Sequence, residues 1–130
     1  MTTERIAYTF AYLRVVPRVH LGAFVNVGVV LQARTAGFVG LRVLTDAAEL
    51  ERRVPHVDVP LLVRYLESLR AIADGEPTAG PVALGPPSER FHWLTSPRSD
   101  VLQCSPVHAG VTDRDPAEVL DRLYEEVVGP

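Results

Sequence analysis

From residue 5 to residue 16 the side chains alternate. Ile6, Tyr8, Phe10, Tyr12 and Arg14 hold the even positions, and Ala7, Thr9, Ala11, Leu13 and Val15 the odd ones. A two-residue period with aromatic and β-branched content predicts a strand. Pro17 stops its pairing, a second strand is predicted over about residues 22–33, a turn over 34–37 and a third strand over 38–44. Short links between successive strands predict an antiparallel meander. In the second strand, strict alternation sets Ala23, Val25, Val27, Val29 and Leu31 on one face and Phe24, Asn26, Gly28, Val30 and Gln32 on the other. Asn26 and Gly28 stand there where apolar residues are expected. A glycine admits close approach, and an amide on the same face could hydrogen-bond whatever approaches.

The pattern then changes to a helical one. Asp46 with Glu49 makes a capping box for a short helix ending near Val54 and Pro55. Asp58 caps the next helix, with Pro60 tolerated in its first turn. Its apolar stripe is Leu62, Tyr65, Leu66, Leu69 and Ile72, it stops at Asp74-Gly75, and it covers one face of the meander. Residues 76–88, with four prolines and two glycines, predict a surface loop. Two short extended pieces follow, at 91–94 and 101–104, separated by turn chemistry at 95–100. Asp115, Pro116 and Glu118 start a last helix with Leu120, Leu123, Tyr124 and Val127 along its apolar side. The expected fold is α+β: one domain over residues 1–130, with an antiparallel sheet that begins as a three-stranded meander and helices packed on one face.

Composition narrows the function classes. The 130 residues, 47% of them hydrophobic and 22% charged, suit a globular chain that buries a core of its own. No apolar run reaches membrane-spanning length and the N-terminus lacks signal-peptide regions, so the cytoplasm is the expected location. The net charge of −3 gives no overall attraction for nucleic acid or anionic lipid. Cys104 is the single cysteine, which excludes an internal disulfide and a zinc site built on paired cysteines. All 13 basic residues are arginine. No lysine is available for a Schiff base or as a general base.

Motifs of specific chemistry are missing from the sequence. His20, His56, His92 and His108 are scattered without metal-ligand spacing, so neither a metal nor a cofactor is expected. There is no nucleophile elbow and no phosphate-binding glycine loop. Cys104 could meet His108 only through an irregular turn at Ser105-Pro106, and an inert thiol on a strand is the plainer reading. The second face of the meander is richer, since Tyr8, Tyr12, Arg14, Phe24, Asn26, Phe38 and Arg42 would share it. Aromatics beside arginines can stack on bases or grip phosphates. The structural alternative is that Phe91, Trp93 and Leu102 pack over this face and leave the arginines at its rim. Thr95, Ser96, Arg98 and Ser99 add hydroxyls and a guanidinium suited to an anion.

Four strings, taken in order, resemble the bacterial domain of unknown function 3037 family. They are Tyr12-Leu-Arg-Val-Val-Pro17, Gly22-Ala-Phe-Val-Asn-Val-Gly-Val-Val-Leu31, Trp93-Leu-Thr-Ser-Pro-Arg-Ser99 and Ser105-Pro-Val-His-Ala-Gly110. The positions in the most distinctive strings are Arg14, Pro17, Gly22, Asn26, Gly28, Arg98, Ser99, His108 and Gly110. The resemblance transfers no activity. It implies a protein partner, a kinase of the HipA type, for an accessory or binding protein. The alternative is a small enzyme or binder for a phosphorylated or carboxylated metabolite, with Arg14, Asn26, Gly28, Arg98 and Ser99 binding and His108 as acid or base. Single-stranded nucleic-acid binding on the aromatic face is a further alternative, against which the acidic balance argues. A homo-oligomer is left open.

Overall fold

A computed structural model describes residues 4–18, 23–96 and 101–129, with the backbone alone for 17 and 18. Strands β1 (Ile6–Arg18), β2 (Ala23–Ala33) and β3 (Phe38–Val43) form the meander, joined between β2 and β3 by a single 3-10 turn that closes on Gly37. Gly37 takes a left-handed backbone with φ of 64°, which a glycine adopts without strain. The sheet is antiparallel throughout, in the order β3-β2-β1, and the far edge of β1 carries two further strands. Strand β4 (Leu102–Cys104) pairs with the C-terminal half of β1, and β5 (His108–Thr112) with its N-terminal half. The α+β class and the meander are as expected.

β4 and β5 are two pieces of one edge, broken at Ser105-Pro106. Ser105 repairs the break: its N–H donates to the Tyr12 carbonyl at 2.8 Å and its Oγ accepts the Tyr12 N–H at 2.8 Å. A buried hydroxyl therefore stands in for a ladder carbonyl. The sequence carries little sign of strand β5, because Gly110, the exposed His108 and neighbouring Pro106 make a weak β-pattern.

The four helices are α1 (Ala47–Arg53), α2 (Val59–Ala73), α3 (Pro87–Leu94) and α4 (Pro116–Val127). Their caps are those the sequence announces. Asp46 accepts from the Glu49 N–H, Asp58 from Leu61 and Asp115 from Ala117. In α2, Leu62, Leu66, Leu69 and Ile72 are buried, while Tyr65 points outward. Two expectations fail between 76 and 94. Part of the loop condenses into 3-10 turns at Pro77–Ala79 and Pro81–Leu84, and residues 91–94 belong to α3 rather than to a strand. Pro87 in a first turn followed by Glu89 is a helix start, hidden inside a proline-rich stretch.

The helices also occupy both faces of the sheet, not one. Val29, Val30 and Leu31 are successive residues of β2 and all completely buried, so each face must be covered. α4 covers the face carrying Gly40 and Arg42: a Cβ on Gly40 would meet Leu120 at 2.9 Å, and Arg42 pairs with Asp121 at 3.0 Å. α2 packs on β3, and α3 on β2 and β3, from the side of Val39 and Leu41. A near-continuous apolar run in β2 carried this information, since a one-sided strand would alternate. Among the described residues, no helix is long and apolar enough to cross a membrane.

Candidate functional site

A β-bulge decides which residues share a face. From Thr9 to Leu13 the partners on β2 descend one by one from Gln32 to Gly28; Arg14 then faces Asn26, and Val27 is the extra residue. Its carbonyl accepts the Leu44 N–H at 2.8 Å. The bulge turns β2 over by one residue. Asn26 and Gly28 therefore lie on opposite faces, against expectation. Gly28 faces the α2 and α3 side, where a Cβ would stand 2.8 Å from Val43 Cγ1, 3.0 Å from the Arg42 carbonyl and 3.4 Å from Leu13 Cβ. The close approach this glycine permits is that of its own core.

On the other face Arg14, Asn26 and Phe24 come together. The Arg14 guanidinium sits 3.9 Å from the centroid of the Phe24 ring, which is 48% exposed. Arg14 Nε is buried without an acceptor, and Asn26 Oδ1 is buried without a donor. One unpaired donor and one unpaired acceptor thus stand on facing residues of β1 and β2.

An aromatic row runs from this point along β1. Tyr8 and Phe10 have ring centroids 5.8 Å apart, Phe10 and Tyr12 5.7 Å, and His108 of β5 lies 5.4 Å from Phe10 and 5.8 Å from Tyr12. These are ordinary aromatic packing distances. Tyr8 lies across Gly110, the residue paired with it on β5; a Cβ there would collide with the phenol ring. Phe10, Gly110 and the placement of His108 complete a surface that β1 alternation indicated only in part. The cover expected from Phe91, Trp93 and Leu102 is not what the structure has. Leu102 pairs with Val15 on the opposite face, and Phe91 and Trp93 are on α3. α4 takes Arg42, which stacks 4.3 Å from the Tyr124 ring. Burial pushes the Tyr124 hydroxyl pKa up, with Arg42 and Arg53 opposing.

The remaining candidates are dispersed. Arg98 and Ser99, with Gly22, lie outside the described residues, and so does any meeting of Arg98 with Arg14. Thr95 and Ser96 spend their hydroxyls on α3: Thr95 donates to the Phe91 carbonyl at 2.9 Å and Ser96 to that of His92 at 2.8 Å. Both hydroxyls thus cap the end of a helix. The His108 side chain is exposed and touches rings, and the imidazole has no hydrogen-bond or ionic partner among the described residues. Cys104 is half-buried opposite Leu13. Among the described residues no three His, Cys, Asp or Glu side chains gather as a metal site.

No curated protein and no solved structure matches the chain. The sequence strings and the fold they build meet in a family model that matches residues 10–128, and the chain belongs to DUF3037, a family of proteins of unknown function.

Proposed function

We propose that this protein is a binding module that engages a partner protein through the face built by Tyr8, Phe10, Tyr12, His108, Arg14, Asn26 and Phe24. The observation that carries this reading is the facing pair of unsatisfied groups, Arg14 Nε and Asn26 Oδ1, at the end of the aromatic row. With the two side chains turned outward, a peptide group offers one carbonyl to the first and one N–H to the second. The aromatic row beside it supplies the apolar contact that interfaces use, with Arg14 and the tyrosines as anchors. The first partner to test is the HipA-type kinase that the family resemblance implies.

A metabolite reading keeps the same residues. Arg14 and Asn26, with Arg98 and Ser99, would then hold a phosphate or carboxylate, and His108 would transfer a proton. His108 surrounded by Phe10 and Tyr12 is placed better for stacking than for exchange with a carboxylate. Pull-down from the host, with mass spectrometry of what co-purifies, separates the readings when the wild type is compared with Arg14→Ala/Asn26→Ala. Loss of a specific protein from the folded variant supports the partner reading. A sugar phosphate or carboxylate whose stabilisation is abolished by those two substitutions decides for the metabolite.

A further inference from the structure

The side of the sheet away from the aromatic row is left open at its outer end. Ala7 pairs with Val111, and Thr9 with both Ala109 and Gln32, so these residues share the face of Ala11 and Leu13. Ala11 and Leu13 are completely buried, whereas Val111 is 60% exposed. The floor therefore runs out of the core into a depression of about 570 Å³, with Arg34 at its rim. That volume is within the range of small-molecule sites.

Two observations point to a ligand. Gln32 is 9% exposed and its Nε2 is buried with no acceptor, an unfavourable state that a bound acceptor atom removes. The second is charge. Val111 also borders a neighbouring depression of about 380 Å³, where Arg5, Arg114 and Arg122 gather against one carboxylate, Asp113. Arg5, Arg34 and Arg114 have no ion-pair partner among the described residues, and Arg122 reaches Glu126 only at 3.9 Å. On a chain of net charge −3 this is a local reversal of sign.

We propose that these two neighbouring depressions, which share Val111 at the sheet edge, bind a nucleoside phosphate. Its base lies on the shallow floor beside Ala7 and Ala109 and, with the Gln32 amide turned toward the depression, accepts a hydrogen bond from Nε2. Its phosphate reaches the arginines, whose guanidinium forks suit phosphate oxygens. From Thr9 to Arg5 the strand advances four residues, about 13 Å at the rise of an extended chain. Inorganic phosphate is too short to use both ends.

The test is calorimetry and thermal denaturation of the full chain with the four ribonucleoside monophosphates, their parent nucleosides and inorganic phosphate. At least one monophosphate should bind and raise Tm, with its nucleoside and inorganic phosphate at least tenfold weaker. Arg114→Ala/Arg122→Ala and Arg34→Ala alter exposed side chains and should each weaken binding about tenfold, while Gln32→Met should weaken it in a chain whose circular dichroism is unchanged. Arg14→Ala/Asn26→Ala, on the opposite face, should leave binding intact. Failure of every monophosphate to bind overturns the proposal, as does binding that ignores the arginine variants or is lost in Arg14→Ala/Asn26→Ala. Those results leave the partner-binding reading of the other face untouched.

Discussion

Arg14 faces Asn26 across β1 and β2 because Val27 is bulged out between Asn26 and Gly28. Without that extra residue Arg14 would face Val27, and the amide would turn toward the side now filled by Leu13 and Val43. The bulge thus does two things at once. It delivers a polar residue to the face of the aromatic row and a glycine to the most crowded part of the core. Bulges beside functional sites commonly re-aim a side chain in this way.

Gly28→Ala should destabilise the protein by about 1–3 kcal/mol, the usual cost of overpacking a tight site. Alanine generally gains roughly 0.5–1 kcal/mol over glycine in a strand. Here the contact with the Arg42 carbonyl, at 3.0 Å, opposes that gain, because a backbone oxygen cannot swing aside as Val43 can. Urea denaturation of the two proteins measures the difference. A variant as stable as the wild type would show that the two strands separate freely at this point.

Ser105→Ala should cost about 1–3 kcal/mol, since it leaves the Tyr12 N–H without its acceptor in a buried position. The loss is local to the join between β4 and β5. Hydrogen exchange should therefore accelerate at the Tyr12 amide more than at amides of the β2–β3 ladder. Uniform acceleration would place the effect elsewhere.

The sequence was most legible where chemistry marks an element's start. Asp46, Asp58 and Asp115 named three helix caps correctly, and alternation in β1 placed Tyr8, Tyr12 and Arg14 on one face. The bulge was not legible, because Val27 looks like any strand valine and period-two reading has no place for an inserted residue. Turning over at Val27 did not disturb the grouping of Asn26 with Arg14, but it removed Gly28 from that group. α3 was hidden by a prolyl stretch that also reads as loop. β5 was hidden because its glycine is required by a ring on the neighbouring strand, a reason that exists only once the strands are paired.

Acid should erase one local tie. Hydrogen bonds from Arg52 and Arg53 lower the Glu49 carboxyl from its ordinary 4.5 to about 2. Arg53 in turn donates to the Val128 carbonyl at 2.6 Å, linking α1 to the end of α4. A depressed carboxylate pKa stabilises the fold fully above the unfolded value, and that contribution disappears as pH falls through the folded one. The stability gap between wild type and Glu49→Gln should be constant above about pH 4.5 and close towards about pH 2. A gap that is the same at pH 3 and pH 7 would show that the carboxylate charge plays no part.

Gly110→Ala separates folding from binding on the aromatic face. The three atoms nearest the new methyl all belong to the far end of the Tyr8 side chain, which can rotate away. The strand gains roughly 0.5–1 kcal/mol from replacing glycine, so the net change in stability should be within about 1 kcal/mol of zero. The rearrangement falls on the surface instead. Tyr8 would leave its place beside Phe10, 5.8 Å from it between centroids, and stand where a partner segment would lie. Gly110→Ala should therefore retain the wild-type melting temperature within a few degrees yet weaken capture of the partner about tenfold, similar to the loss of one aromatic anchor at an interface. Gly28→Ala is the counterpart, losing stability while the aromatic face stays intact. If both variants bind the partner as the wild type does, the contact surface is not the β1 row; if Gly110→Ala alone fails, Tyr8 is part of it.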